Sequence, residues 1–313
     1  MKKTLLLYTK GMAMGAVDVV PGFSGGTMAM ITGIYDKLLA SLAAMPTAIL
    51  LFFRGRIGQA WQACNASFLS AVLLGVVTSI FTLAKLISYL MDEHPVPLWA
   101  FFFGLVLVSV YLVGREVGSW RANRLASLGA GLALALWITL AAPLQLTADP
   151  LTLFLAGAIA ISAMILPGIS GSFILVLLGL YPAVLGAVKN FDLPVLLVFC
   201  AGCALGLLSF SKVLSWLLSH KRDLTLAFLT GLLVGSLGKV WPWKQTLTWQ
   251  TNRHGESFPL EQVNLWPWQF ADISGESAQL LLAMSLSLLA VMLVLGVEWL
   301  ARRRQSDVES PLA

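Results

Sequence analysis

The sequence predicts an all-α polytopic membrane protein, an inverted repeat of two five-segment halves, each with a re-entrant helical hairpin and about three full spans. Three observations lead there. Hydrophobic residues fill 58% of the 313 positions and charged residues 11%, against roughly 45–50% and about 25% in soluble domains. Apolar residues gather in ten segments, near 4–20, 24–45, 67–91, 97–114 and 125–141, then 151–166, 170–188, 194–218, 224–240 and 278–300. And the stretch Pro21-Gly22-Phe23-Ser24-Gly25-Gly26-Thr27 returns as Pro167-Gly168-Ile169-Ser170-Gly171-Ser172. The chain reads as one membrane domain over 1–313, with repeats of about 4–141 and 151–300 and an outer interfacial loop of about 241–276.

Each half justifies its elements in the same order. Around the motif an offset of 146 pairs Pro21 with Pro167, Ser24 with Ser170, Gly33 with Gly179 and Tyr35 with Tyr181. Farther on the offset is 127, as though nineteen residues were missing from the second half. It pairs Gly75 with Gly202, Lys85 with Lys212, Gly104 with Gly231 and Ser109 with Ser236. Two blocks in one order argue for duplication.

The first segment is too short to span. Between Lys10 and Pro21 lie ten residues, about 15 Å of helix and half of a roughly 30 Å hydrocarbon core. Proline lacks an N–H and disfavours helix in the residue before it, so the motif ends one helix; Ser24 and Ser170 can cap the next. A re-entrant hairpin follows, its tip near the midplane. Asp36-Lys37 returns to the cytoplasmic interface, where an ion pair costs little. One hairpin and three spans per half make the number of crossings odd, so the two copies are inverted.

Charge tests that topology. With the N-terminus inside, cytoplasmic loops receive Lys2, Lys3, Lys10, Arg54, Arg56, Arg115, Arg121, Arg124, Lys221, Arg222 and Arg302 to Arg304; the outside receives Lys189, Lys239, Lys244 and Arg253. The bias is the positive-inside pattern, with both termini cytoplasmic. The net charge of +5 therefore reports orientation and not a nucleic-acid partner. Trp241, Trp243, Trp249, Trp266 and Trp268 place the outer loop at the interface. Met1-Lys2-Lys3 resembles the start of a signal peptide, but Lys10 interrupts the apolar run, so the first segment reads as uncleaved.

Inverted repeats with broken helices are the usual build of secondary transporters, whose half-helix N-termini face anionic groups at the midplane. Candidate phosphate-binding residues are Gly22, Ser24, Gly25, Gly26 and Thr27 in one loop, Gly168, Ser170, Gly171 and Ser172 in the other, and the repeat-related Lys85 and Lys212, one toward each leaflet. Packing of small residues is the bland alternative for the loops, and snorkelling for the lysines. Asp18 is the carboxylate nearest the midplane. It either accepts a coupling proton or sodium ion or pairs with a lysine as structure; its repeat partner is Met164.

Nothing points to catalysis or to a cofactor. His94, His220 and His254 fall in loops, Asp18 has no second carboxylate beside it, and Cys64, Cys200 and Cys203 read as packing, so neither a general base nor a metal site is expected.

Gly15-x-x-Asp18-x-x-Pro21-Gly22-x-Ser24-Gly25-Gly26-Thr27, Gly33-Ile34-Tyr35, Pro167-Gly168-x-Ser170-Gly171-Ser172 and Gly235-Ser236 followed by Trp241-Pro242-Trp243 resemble the bacterial polyprenyl-phosphate transporter family. The resemblance runs from about Lys10 to the last span. It implies a cytoplasmic-membrane protein, not an enzyme, that returns undecaprenyl phosphate, the carrier lipid of cell-wall synthesis, from the outer to the inner leaflet. The residue roles come from the repeat rather than the family. A proton- or sodium-coupled carrier of a small soluble anion is the competing expectation.

Overall fold

The structure, a computed structural model, describes residues 2–18, 24–141, 144–251 and 257–309. Its helices are α1 (Lys2–Asp18), α2 (Gly25–Ile31), α3 (Tyr35–Ala43), α4 (Met45–Phe53), α5 (Ile57–Ala63), α6 (Ala66–Glu93), α7 (Pro95–Arg115) and α8 (Ala122–Leu140). There follow α9 (Pro150–Ile165), α10 (Gly171–Leu177), α11 (Tyr181–Asn190), α12 (Leu193–His220), α13 (Arg222–Ser236), the strands β1 (Lys244–Thr251) and β2 (Ser257–Asn264), α14 (Pro267–Ser274) and α15 (Leu280–Glu309). Among the described residues five helices, α6, α7, α8, α12 and the stretch beginning with α13, are long and apolar enough to cross a membrane; counting each bent helix pair as one span gives up to seven. The chain is a polytopic α-helical membrane protein.

Each expected second segment is broken. Gly33 (φ +69°) separates α2 from α3, and Gly179 (φ +73°) separates α10 from α11. Left-handed backbone of this kind ends a helix and favours glycine; α10 and α11 bend by 114°. The nineteen extra residues of the first half are α4, α5 and their turn, Met45–Ala63, whereas α11 leads directly into α12. Ala48, Ala60 and Cys64 form the buried seam of that extra hairpin.

The chain divides into two compact units, residues 1–88 with 113–236, and residues 89–112 with 237–313. In the first unit α1 packs on α6, α9 on α12, and α8 on α13. Small residues let these backbones touch. A Cβ on Gly11 would lie 2.2 Å from the Val72 carbonyl oxygen, and one on Gly75 2.1 Å from that of Tyr8. Adding 146 on α1 and 127 on α6 gives Gly157 at 2.5 Å from the Phe199 oxygen and Gly202 at 1.9 Å from that of Phe154. The same contact thus recurs at both offsets. Asp149 caps α9, accepting from the Thr152 N–H at 3.0 Å and its hydroxyl at 2.6 Å. Those bonds hold its carboxyl down to about 2.

In the second unit Val96, Ala100, Trp243, Phe270 and Ala283 form the core. Gly104 of α7 lies against Ser287 of α15, where a Cβ would sit 2.3 Å from a backbone oxygen; Gly231, the equivalent of Gly104 on α13 in the first unit, meets Leu128 of α8 at 2.1 Å. The described residues of the expected outer loop form two strands and a short helix. β1 and β2 pair antiparallel from Lys244 opposite Asn264 to Thr251 opposite Ser257. Trp241 donates to the Leu265 carbonyl and Trp243 to that of Ala278, both at 2.8 Å, which satisfies each indole while its ring packs.

The Lys244 ammonium lies 3.9 Å from the centre of the Trp99 ring and donates to the Lys239 carbonyl. Burial, and then the charge of Lys239, push it down to about 7. Between pH 7 and the ordinary value of 10.5 the unfolded chain therefore holds a proton that the native hairpin has released. Stability rises with pH through that window, by up to about 1.4 kcal/mol per unit. The opening free energy of β1–β2, measured by hydrogen exchange corrected for intrinsic rates, should climb from pH 7 to 10, and Lys244→Met should flatten the profile. A flat wild-type profile would count against this.

Candidate functional site: two broken-helix loops in contact

The first loop is held from both ends by α1. Asp18, partly buried, accepts from the Gly25 N–H at 2.6 Å through Oδ1, and the Lys10 ammonium donates to the Thr32 carbonyl at 2.5 Å. An acid thus stands at the N-terminus of α2 and a cation at its C-terminus, each where the helix dipole favours it. Asp18 was expected either to bind a coupling ion or to pair with a lysine; its observed partner is a backbone N–H. Pro21 and the candidate Gly22 lie outside the described residues.

Ser24 is the N-cap of α2, as its sequence position suggested: its hydroxyl accepts from the Gly26 N–H at 3.1 Å. The same oxygen donates to the Met164 carbonyl at 2.8 Å, at the end of α9. Thr27 reaches the other loop too, its hydroxyl accepting from the Gly168 N–H at 3.0 Å. The Tyr35 hydroxyl donates to the Ile165 carbonyl at 3.0 Å. Ser24, Thr27 and Tyr35 are all buried. Gly26 permits the approach, since a Cβ there would lie 2.6 Å from the Ile165 oxygen.

The second loop follows the same plan with different caps. Leu166, before Pro167, is extended and ends α9. Gly168 has φ +85°, and a Cβ there would meet the Ser236 hydroxyl at 2.8 Å, which explains the Gly235-Ser236 part of the sequence pattern. Ser170 precedes α10 but does not cap it with its side chain. Its hydroxyl instead pairs with that of Ser172 at 2.8 Å. Ser170 is buried and Ser172 exposed, so this hydroxyl pair reaches the surface. Gly171 packs on the Ala160 carbonyl, 2.7 Å from where a Cβ would be. At the far end of α10, the N–H groups of Leu144 and Leu146 reach the Leu177 and Leu178 carbonyls at 2.7 and 3.3 Å.

The structure therefore brings Ser24, Gly25, Gly26, Thr27 and Asp18 together with Gly168, and Ser170, Gly171 and Ser172 follow on the same loop. Lys85 and Lys212 stand apart, both exposed on their long helices. Sequence reasoning missed Tyr35 as a tie between the loops, although a tyrosine in an apolar segment needs a partner for its hydroxyl.

One charge assignment changes. Asp36 does not pair with Lys37; its carboxylate meets Arg222 at 2.7 Å, and Arg222 also meets Glu116 at 2.9 Å. Lys37 lies 4.8 Å from the centre of the Phe68 ring. Beside them Arg124 pairs with Asp223 at 2.6 Å. A residue and its chain neighbour on a helix point different ways, whereas Arg222, at the start of α13, reaches both Asp36 and Glu116.

Long apolar helices, and two helix breaks tied together through Ser24, Thr27 and Tyr35, define a polytopic membrane protein. A sequence model of the undecaprenyl phosphate translocase-like family matches residues 14–258, and the chain belongs to that family. It is 52% identical over 300 residues to a polyprenyl-phosphate transporter of Vibrio cholerae, covering 96% of this chain and 97% of the relative. A polyprenyl-phosphate transporter of Staphylococcus aureus is 36% identical over 251 residues, covering 74% of this chain and 84% of that one. No solved structure matches.

Proposed function

We propose that the chain carries undecaprenyl phosphate across the cytoplasmic membrane from the outer to the inner leaflet, so that the carrier lipid of cell-wall synthesis is used again. The contact between the two loops carries this reading, because it joins two helix breaks, one from each half, at a single place. On this reading the hairpins enter from opposite faces and the repeat is inverted. A phosphate monoester cannot cross hydrocarbon unaided, while its polyprenyl tail is at home there, so the protein has only to shelter the head. Ser24 and Thr27 are occupied in holding the loops together. The Ser170–Ser172 hydroxyl pair, which reaches the surface, offers donors to phosphate, and Asp18 supplies the charge to which a coupling ion responds.

Two measurements test this. In proteoliposomes, polyprenyl phosphate should become protected from a membrane-impermeant phosphatase at a rate set by the protein, with no phosphate released in the phosphatase's absence. No protection, or release by the protein alone, would overturn the reading. A Ser170→Ala, Ser172→Ala double variant should keep its yield of folded protein but bind the lipid about tenfold more weakly, as expected for a lost bond to a charged group. Topology has its own check. The Asp36–Arg222–Glu116 cluster supports a common side for those three segments, and cysteines placed near Arg54 and Lys189 should label from the cytoplasm and from outside respectively. Labelling of both from one side would exclude inversion.

A further inference from the structure

Two side-chain hydroxyls among the described residues are buried without a hydrogen-bond partner, and one of them, Ser79, lies on α6 against α1. Ser79 is 0% exposed, and a Cβ on Gly15 would come within 3.0 Å of its own Cβ. The two helices run parallel here, since Gly11 lies against Val72 and Gly15 against Val76. Three residues on from Gly15, on the same helix face, comes Asp18; the register carries it to the level of Ser79 and the following turn. A buried hydroxyl left unpaired costs free energy and calls for an explanation.

A further observation bears on what would fill the gap. The repeat then isolates the feature. At the offsets of 146 and 127, Asp18 corresponds to Met164 and Ser79 to Gly206. The half that has the acid has the hydroxyl; the half that lacks one lacks both.

We propose that Asp18 and Ser79 bind a small monovalent cation, sodium, between α1 and α6. The Asp18 carboxylate, bonded through Oδ1 to the Gly25 N–H, supplies the charge, and Ser79 supplies the hydroxyl oxygen. Bound there, the cation neutralises the acid that stands at the N-terminus of α2, and the site gives the coupling role of Asp18 a chemical partner. This rests on the transport reading for its purpose but not for its test, which contains no lipid.

Purified full-length protein in detergent is unfolded thermally while sodium chloride replaces choline chloride at constant ionic strength. The wild type should show a saturable rise in unfolding temperature with sodium and none with choline. Asp18→Asn, which keeps an acceptor for the Gly25 N–H, should lose the response. Ser79→Ala should raise the half-saturating sodium concentration at least about tenfold while leaving stability in choline equal or higher, because a purely unpaired hydroxyl is removed. Ser79→Gly, the residue of the other half, gives the same readout if alanine disturbs packing. A wild type without a sodium response, one stabilised by acid alone, or a Ser79→Ala protein with unchanged half-saturation would overturn the site. Each can occur with lipid protection in vesicles intact, so the two proposals fail separately.

Discussion

Gly202→Ala is expected to remove nearly all folded protein from the membrane. Its Cβ would stand 1.9 Å from the Phe154 carbonyl oxygen, and a backbone oxygen cannot swing aside as a side chain can. The whole of α9 would have to move off α12, and α9 leads into the second loop. Overpacking of this kind costs about 3 kcal/mol, on the order of a hundredfold in the ratio of folded to unfolded protein and a large fraction of the marginal stability of a native chain. The measurement is the monodisperse fraction in size-exclusion chromatography of detergent-extracted protein. Gly186→Ala, whose Cβ would meet nothing within 4 Å, should leave that fraction unchanged. A well-behaved Gly202→Ala protein would mean that the close helix contact is not needed for folding.

The second large effect is expected on transport. Gly26→Ala would drive a Cβ to 2.6 Å from the Ile165 oxygen, pushing apart the loops that Ser24, Thr27 and Tyr35 tie together. Thr27→Val, nearly the same shape, would leave the Gly168 N–H without its acceptor at a cost of about 1–3 kcal/mol. Both variants should retain most of their folded protein, since the long helix pairs are untouched, yet protect polyprenyl phosphate in vesicles at least tenfold more slowly. Wild-type transport by Gly26→Ala would detach function from the meeting of the loops.

Much of this was legible because a membrane makes sequence and structure agree closely. Segments placed at 67–91, 97–114, 151–166 and 194–218 fall within a few residues of α6, α7, α9 and α12, since apolar length alone sets them. The proline-glycine breaks were readable from the missing N–H of Pro21 and Pro167. What escaped had weaker signals. The breaks at Gly33 and Gly179 depend on the sign of a backbone angle, which an apolar run does not reveal. β1 and β2 were hidden by a tryptophan-rich composition that reads as interface whatever its fold. Ser24 and Ser170 look alike in sequence, yet one caps its helix and ties the loops while the other pairs with Ser172, because Ser172 stands where the first half has Gly26 and the Met164 carbonyl that Ser24 meets comes from the opposite half.

The bonds from Ser24 and Tyr35 end on Met164 and Ile165, carbonyls of the last turn of α9. Such groups have no partner within their own helix. The first half of the chain therefore finishes a helix that the ribosome has not yet made when that half enters the bilayer. Until residue 165 is made, the Ser24 and Tyr35 hydroxyls lack the acceptors that they have in the folded chain. Expressed alone, neither half should fold; expressed together from separate messages, the two should complement each other, as pieces that complete one another's hydrogen bonds.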